Sequence, residues 1–129
     1  MKLVKCDVCG NVYELIGGPG ACVGTCCGKD MRVVEAGVED AAQEKHVPAV
    51  VQEGQVLHVV VGEVEHPMLE KHYITNIWAE FEDGTVERST LIPGAAPKAD
   101  FDIKGRTGKV TVYEYCNLHG LWKTTLDIQ

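Results

Sequence analysis

Nowhere does the chain run to about 18 consecutive apolar residues, the length a membrane-spanning helix requires. The opening "MKLVKCDVCG" has a basic start but no apolar run before its polar residues and cysteines begin. It therefore reads as neither a secretory leader nor an anchor. There is no block of Lys and Arg, and no basic stripe interleaved with aromatics. With 12 basic against 19 acidic side chains the formal charge is -7, which argues against nucleic acid as a partner. Internal repeats and low-complexity segments are absent, and 45% apolar with 24% charged residues is the balance of a folded chain. Helical periodicity is almost missing too. Only "VEDAAQEK", residues 38–45, has the makings of one or two helical turns. These absences leave a chain expected in the cytoplasm, where thiols stay reduced.

Cysteine and β-pattern are what the sequence does have. Of its six cysteines, Cys6, Cys9, Cys22, Cys26 and Cys27 crowd the first quarter and Cys116 stands alone. That distribution suits metal or redox chemistry better than a disulfide framework. Residues 1–36 are rich in Cys and Gly. From Val47 onward, short runs of Val, Ile, Thr and aromatics are broken by turn signals. In "HYITNIWAEFEDGTVERSTLI", Tyr73, Thr75, Ile77, Ala79 and Phe81 alternate with Ile74, Asn76 and Trp78, and Asp83-Gly84 marks a hairpin. "GKVTVYEYC" alternates again, and "LWKTTLDIQ" reads as a last strand. The expectation is an all-β protein, with a small metal-stapled domain over residues 1–36 and an antiparallel sandwich over 37–129.

"CDVCG" and "TCCGKDM" together offer four thiolates, Cys6, Cys9, Cys26 and Cys27. Four sulfurs in a tetrahedron suit zinc or a single iron, and the spacing does not separate them. A domain of this size has too little core to fold unaided, so a metal would supply part of its stability. Adjacent cysteines project in different directions and can meet one ion only if the local backbone is distorted. Cys22 is spare and reads as a free or packed thiol.

Of the five histidines, His58 sits mid-strand and is set aside. His46, His66, His72 and His119 lie at strand ends or in loops, in "EKHVP", "EVEHPM", "EKHYI" and "CNLHG", where a rigid β scaffold can gather ligands from distant sequence. Each alone reads as a surface histidine. Taken with Cys116, which has no disulfide partner in its own domain, they make four imidazoles and one thiolate, a set that leaves a sixth position open, as catalytic metals require. Such mixed ligation suits iron or copper.

In these segments the chain resembles the desulfoferrodoxin family, the two-iron class of superoxide reductases, over nearly its whole length. "CDVCGN" with "CCGKDM" is similar to the family's desulforedoxin-type domain. "EKHVP", "HPM", "EKHYI" and "EYCNLHGLWK" are similar to the signature segments of its catalytic domain, in the same order. The resemblance implies two irons per chain. One would be held by Cys6, Cys9, Cys26 and Cys27. The other would have His46, His66, His72 and His119 as equatorial ligands and Cys116 as axial ligand, in an immunoglobulin-like sandwich. "GGPGACVGT", before Cys26, departs from the family in length and in carrying Cys22. The implied reaction takes one electron and two protons to convert superoxide to hydrogen peroxide, with a rubredoxin-like donor and a homodimeric enzyme.

Superoxide is an anion and the chain is acidic, so a local positive field must outweigh the global one. Lys45, beside His46, is best placed for that, and the resemblance gives the matching lysine this role. Lys71, beside His72, comes second. Glu44 is implied as a carboxylate that takes the open position of the ferric ion after turnover. Three other readings compete. One is a two-iron electron carrier, which needs a sixth ligand from Met68 or His58. The others are a zinc-stabilised binding module and a dismutase.

Overall fold

A computed structural model describes residues 1–19, 22–37, 46–62 and 66–129. The segment 38–45, expected to hold any helical turns and containing Glu44 and Lys45, lies outside the described residues. Among the described residues every regular element is a strand, and no helix is long and apolar enough to cross a membrane. The chain divides into two compact units, Met1–Glu35 and Ala36–Gln129.

The first unit is built from very short strands: β1 (Leu3–Lys5), β2 (Val12–Glu14), β3 (Thr25–Cys26), β4 (Lys29–Asp30) and β5 (Arg32–Val33). β1 pairs antiparallel with both β2 and β5, and β3 pairs with β4. Among its described residues the buried apolar side chains are Leu3, Val4, Cys6, Met31 and Val34, and Val23, Cys26 and Val33 pack against the cluster of Val4, Cys6 and Met31. Two of those eight side chains are cysteines of the four-thiolate set. So little apolar surface stabilises a fold only weakly.

Among its described residues the second unit is a seven-stranded, immunoglobulin-like sandwich. Its strands are β6 (Pro48–Glu53), β7 (Val56–Val61), β8 (Ile74–Phe81), β9 (Val86–Thr90), β10 (Lys98–Asp102), β11 (Gly108–Cys116) and β12 (Gly120–Ile128). One sheet has the order β10-β7-β6 and the other β12-β11-β8-β9. The core between them takes alternate residues from each strand: Leu57, Val59 and Val61 from β7, Ala99 and Phe101 from β10, Val110 and Val112 from β11. This is the period-2 pattern that places one face of a strand inside. The Asp83-Gly84 hairpin joins β8 to β9, with Gly84 at φ 90° and the Thr85 N–H donating to Asp83 Oδ1 at 2.8 Å.

Strict alternation fails at one place. It puts Ile74 opposite Ile77, yet both are fully buried in the same core. Tyr115 pairs with Asn76 but Cys116 pairs with Ile74, so β8 carries one extra residue, Thr75, against β11. This β-bulge switches the face of everything before it. It keeps Ile74 inside and sets the height at which Cys116 meets the end of β8.

Candidate metal centres

In the first unit Cys6, Cys9, Cys26 and Cys27 each offer a sulfur, all within 4.8 Å of one another. Cys9 Sγ is 3.7 Å from Cys26 Sγ, which is 3.8 Å from Cys27 Sγ. A tetrahedron with metal–sulfur bonds of about 2.3 Å has sulfur–sulfur edges of about 3.8 Å, so these residues fit a tetrahedral ion. The adjacency of Cys26 and Cys27 is resolved by the backbone. Cys27 adopts φ 54° and Gly28 φ 76°. For a non-glycine residue that conformation costs about 1–3 kcal/mol, and it turns the second sulfur toward the first. Cys22 is exposed and stands outside the cluster.

The Cys9 N–H lies 3.5 Å from Cys6 Sγ and favours the thiolate, which brings the Cys6 pKa down to about 7. Cys26, sharing its proton with Cys6 and then Cys9, is pushed up to about 12. Without metal, then, the cluster holds its protons unequally, and an entering cation must displace those that remain. Metal affinity at this site is expected to rise with pH from about 7 upward, because the proton of Cys26 is still bound there. Binding to the metal-free protein in weak buffer should release protons, and pH-independent affinity would contradict this.

In the second unit the ligand-type residues gather at one end of the sandwich. His46 precedes β6, His66 follows β7, His72 precedes β8, Cys116 ends β11 and His119 lies in the β11–β12 turn. Their rings form a closed circuit. Centroid separations are 4.8 Å for His46–His66, 4.9 Å for His66–His72, 5.1 Å for His72–His119 and 4.9 Å for His119–His46. Imidazoles around one ion at metal–nitrogen distances of about 2 Å have neighbouring centroids roughly 4.5–5 Å apart, so the circuit also fits an ion. His46, His66, Cys116 and His119 each bring a donor atom within 4.8 Å of the others. His72 joins through its ring.

The neighbours select which nitrogen faces inward. Nδ1 of His66 lies 2.8 Å from the Pro67 carbonyl oxygen, which commits Nε2 to the cluster. Nδ1 of His46 faces Glu114 Oε1 at 3.6 Å, an ion-pair rather than a hydrogen-bond separation, and so also lies on the protein side. In His119 the order is reversed, because Nδ1 is the nitrogen 3.8 Å from Cys116 Sγ. The three-residue turn Asn117-Leu118-His119, closed by Gly120 at φ 85°, produces that reversal by folding the imidazole back over its own strand end. His46 and His66 are buried, whereas His119 is exposed and His72 partly so. The cluster therefore has a protein side and a solvent side.

Three supporting residues went unrecognised in the sequence. Glu114, 0% exposed, shares the inner face of β11 with Val110, Val112 and Cys116, its cross-strand neighbours being Ile77 and Trp122. A carboxylate at a core position in an alternating strand was the available signal. Asn117 accepts from the Tyr73 N–H at 2.9 Å and donates to the Lys71 carbonyl at 3.0 Å, tying the His119 turn to the loop carrying His72. Trp122 stacks on His46, with ring centroids 5.0 Å apart and planes 15° from parallel. The set-aside His58 lies on the outer face of β7, its Nδ1 2.7 Å from Asp100 Oδ1.

Fold and donor sets together define a two-site metalloprotein, a small four-thiolate unit in one chain with a β-sandwich that carries an imidazole–thiolate cluster at one end. A sequence model of the desulfoferrodoxin family matches residues 38–125. A desulfoferrodoxin homolog of Archaeoglobus fulgidus is 44% identical over 126 residues, 96% of each chain. A superoxide reductase of Thermococcus kodakarensis is 33% identical over 102 residues, covering 67% of this chain and 89% of its own. Among solved structures, the superoxide reductase from Treponema pallidum superposes with a TM-score of 0.75 at 26% identity, covering 95% of this chain and 96% of its own. The chain belongs to the desulfoferrodoxin family. Its two donor clusters match two iron sites, one of four thiolates and one of imidazoles with a thiolate.

Proposed function

We propose that this protein is a superoxide reductase, with His46, His66, His72, His119 and Cys116 as ligands of its catalytic iron. The observation that carries this reading is the closed circuit of four imidazoles with the Cys116 sulfur against His119 Nδ1. Ferrous iron held there would supply the electron that, with two protons, converts superoxide to hydrogen peroxide. The remaining work falls to the chain. Cys116, buried in the core, would contribute a negative charge close to such an ion and so favour loss of an electron from the site. Glu114 and the Pro67 carbonyl hold two imidazoles in orientation. The solvent side, at His119 and His72, admits a small anion and lets water deliver protons. Lys71, next to His72, is exposed and adds positive charge near it, and in this reading Lys45, beside His46 in sequence, is the principal steering residue. Glu44 remains the carboxylate for the oxidised state.

The same reading makes Cys6, Cys9, Cys26 and Cys27 the ligands of an auxiliary iron in the 1–36 domain. It also includes a rubredoxin-like donor, a homodimer and a cytoplasmic setting, consistent with cysteines that form no disulfide among the described residues. The electron-carrier alternative needs a sixth ligand. Met68 Sδ is engaged by the Ile74 N–H at 3.4 Å, and His58 is turned toward Asp100, so neither supports it.

The test is metal content together with reaction stoichiometry. Two irons per chain are expected, with one peroxide formed per superoxide consumed and no oxygen evolved. Zinc without iron in the second unit, or oxygen released alongside peroxide, would overturn the reading.

A further inference from the structure

Apart from the candidate ligands, one side chain meets the imidazole circuit at two points. The indole of Trp122 lies almost parallel to His46. Its Nε1–H donates to the carbonyl oxygen of His119 at 3.1 Å. His46 and His119 are neighbours in the circuit, 4.9 Å apart. A single rigid bicycle therefore touches the face of one imidazole and the backbone of the next.

The position of that bicycle is fixed by main chain. Gly37 and Trp122 form a parallel bridge: the Gly37 N–H donates to the Leu121 carbonyl and the Gly37 carbonyl accepts from the Lys123 N–H, each at 2.9 Å. A Cβ on residue 37 would stand 2.6 Å from Cε3 and 2.7 Å from Cζ3 of the indole. The missing side chain is what lets the backbone lie against the ring. In turn, any group added at residue 37 forces the indole or the Gly37 backbone to shift.

Imidazole ligands bind well only when their rings are held at the correct tilt, and outer partners that fix the tilt are worth tenfold to a hundredfold in metal affinity. Glu114 and the Pro67 carbonyl act on ring nitrogens. Trp122 acts on a ring face and on the turn. We propose that Trp122 is a positioning residue of the imidazole–thiolate site, setting the tilt of His46 and holding the His119 turn so that both donors meet one ion. The proposal rests on the metal-site reading above. Its two contacts are chemically separable, because phenylalanine keeps the aromatic face without the N–H and leucine keeps neither.

The experiment titrates Fe(II) into the full chain and its Trp122→Leu, Trp122→Phe and Gly37→Ala variants, recording affinity, the thiolate charge-transfer band and thermal unfolding. In Trp122→Leu, affinity at the imidazole–thiolate site is expected to fall about ten- to a hundredfold, with a shifted band. Trp122→Phe should fall less than tenfold, with its band shifted in the same direction. Gly37→Ala, which leaves every ligand and Trp122 intact, should shift the band as Trp122→Leu does. Binding at the four-cysteine site should be unchanged in all three. A parent protein that leaves the second site free of iron overturns the functional reading and this proposal with it. An iron-binding parent whose Trp122→Leu variant has parental affinity and band overturns the proposal alone. So does a loss of affinity that only tracks lost thermal stability while the band stays put.

Discussion

Cys116→Ser is expected to erase the thiolate-to-iron charge-transfer absorption of the second unit and to lower superoxide reduction by at least about a hundredfold, since losing even an outer partner of a metal ligand costs up to that much. Cys116 is 0% exposed, sits in the core with Ile74 and Val112, and holds its sulfur 3.8 Å from His119 Nδ1. Among the described residues no other cysteine belongs to that donor cluster. Serine is nearly isosteric but its hydroxyl does not ionise near neutral pH, so the site loses a negative ligand and the electron density it contributes. Burying the hydroxyl where a thiol packed as a small apolar group costs about 1–3 kcal/mol as well. The four-thiolate iron also absorbs in the visible, so the measurement is a difference spectrum, parent minus variant, in both oxidation states. Iron bound at the second site with an undiminished difference band would remove Cys116 from the ligand set. Cys116→Ala separates loss of charge from burial of a hydroxyl, because both variants should lose the band whereas only serine carries the burial cost.

Much of the architecture could be read from the chain because it depends on local pattern. Alternation in "VLHVVV" and "GKVTVYEYC" places Leu57, Val59, Val110 and Val112 inside, and Asp83-Gly84 closes a hairpin wherever it falls between two such runs. The ligand-type residues stood out for a related reason. Cys6-x-x-Cys9 and Cys116-x-x-His119 are short turns whose geometry is set within a few residues. What escaped depends on pairing between strands. Thr75 becomes a bulge only because Cys116 pairs with Ile74. Glu114 reads as one more acidic residue until the register places it between Ile77 and Trp122. Trp122 becomes a neighbour of His46 only after the chain has folded back across many residues. For the same reason, sequence spacing shows that adjacent cysteines need a distorted backbone, but that Cys27 and Gly28 supply the distortion is visible only in their φ angles.

Glu114→Gln should separate what stabilises the fold from what holds the metal. The Glu114 carboxylate has no solvent exposure, lies in the apolar row between Ile77 and Trp122, and is 3.6 Å from His46 Nδ1. A charge withdrawn from water carries a desolvation cost of several kcal/mol, which is offset only by close partners. With iron bound, a His46 that ligates through Nε2 would present its Nδ1–H toward that carboxylate, so the cost would be best offset in the metal-loaded protein. Glutamine keeps the shape and removes the charge. The metal-free second unit should therefore lose less thermal stability than the iron-loaded one, since the charge on Glu114 is offset best when the ion is present. Iron affinity at the imidazole–thiolate site should fall about ten- to a hundredfold, because the outer partner of His46 is weakened. Calorimetry of the metal-free and iron-loaded chain and Fe(II) titration of the same preparation test both halves. Parental affinity would show that His46 takes its orientation elsewhere. A large destabilisation of the metal-free protein would show that the charge is already well compensated before any metal binds.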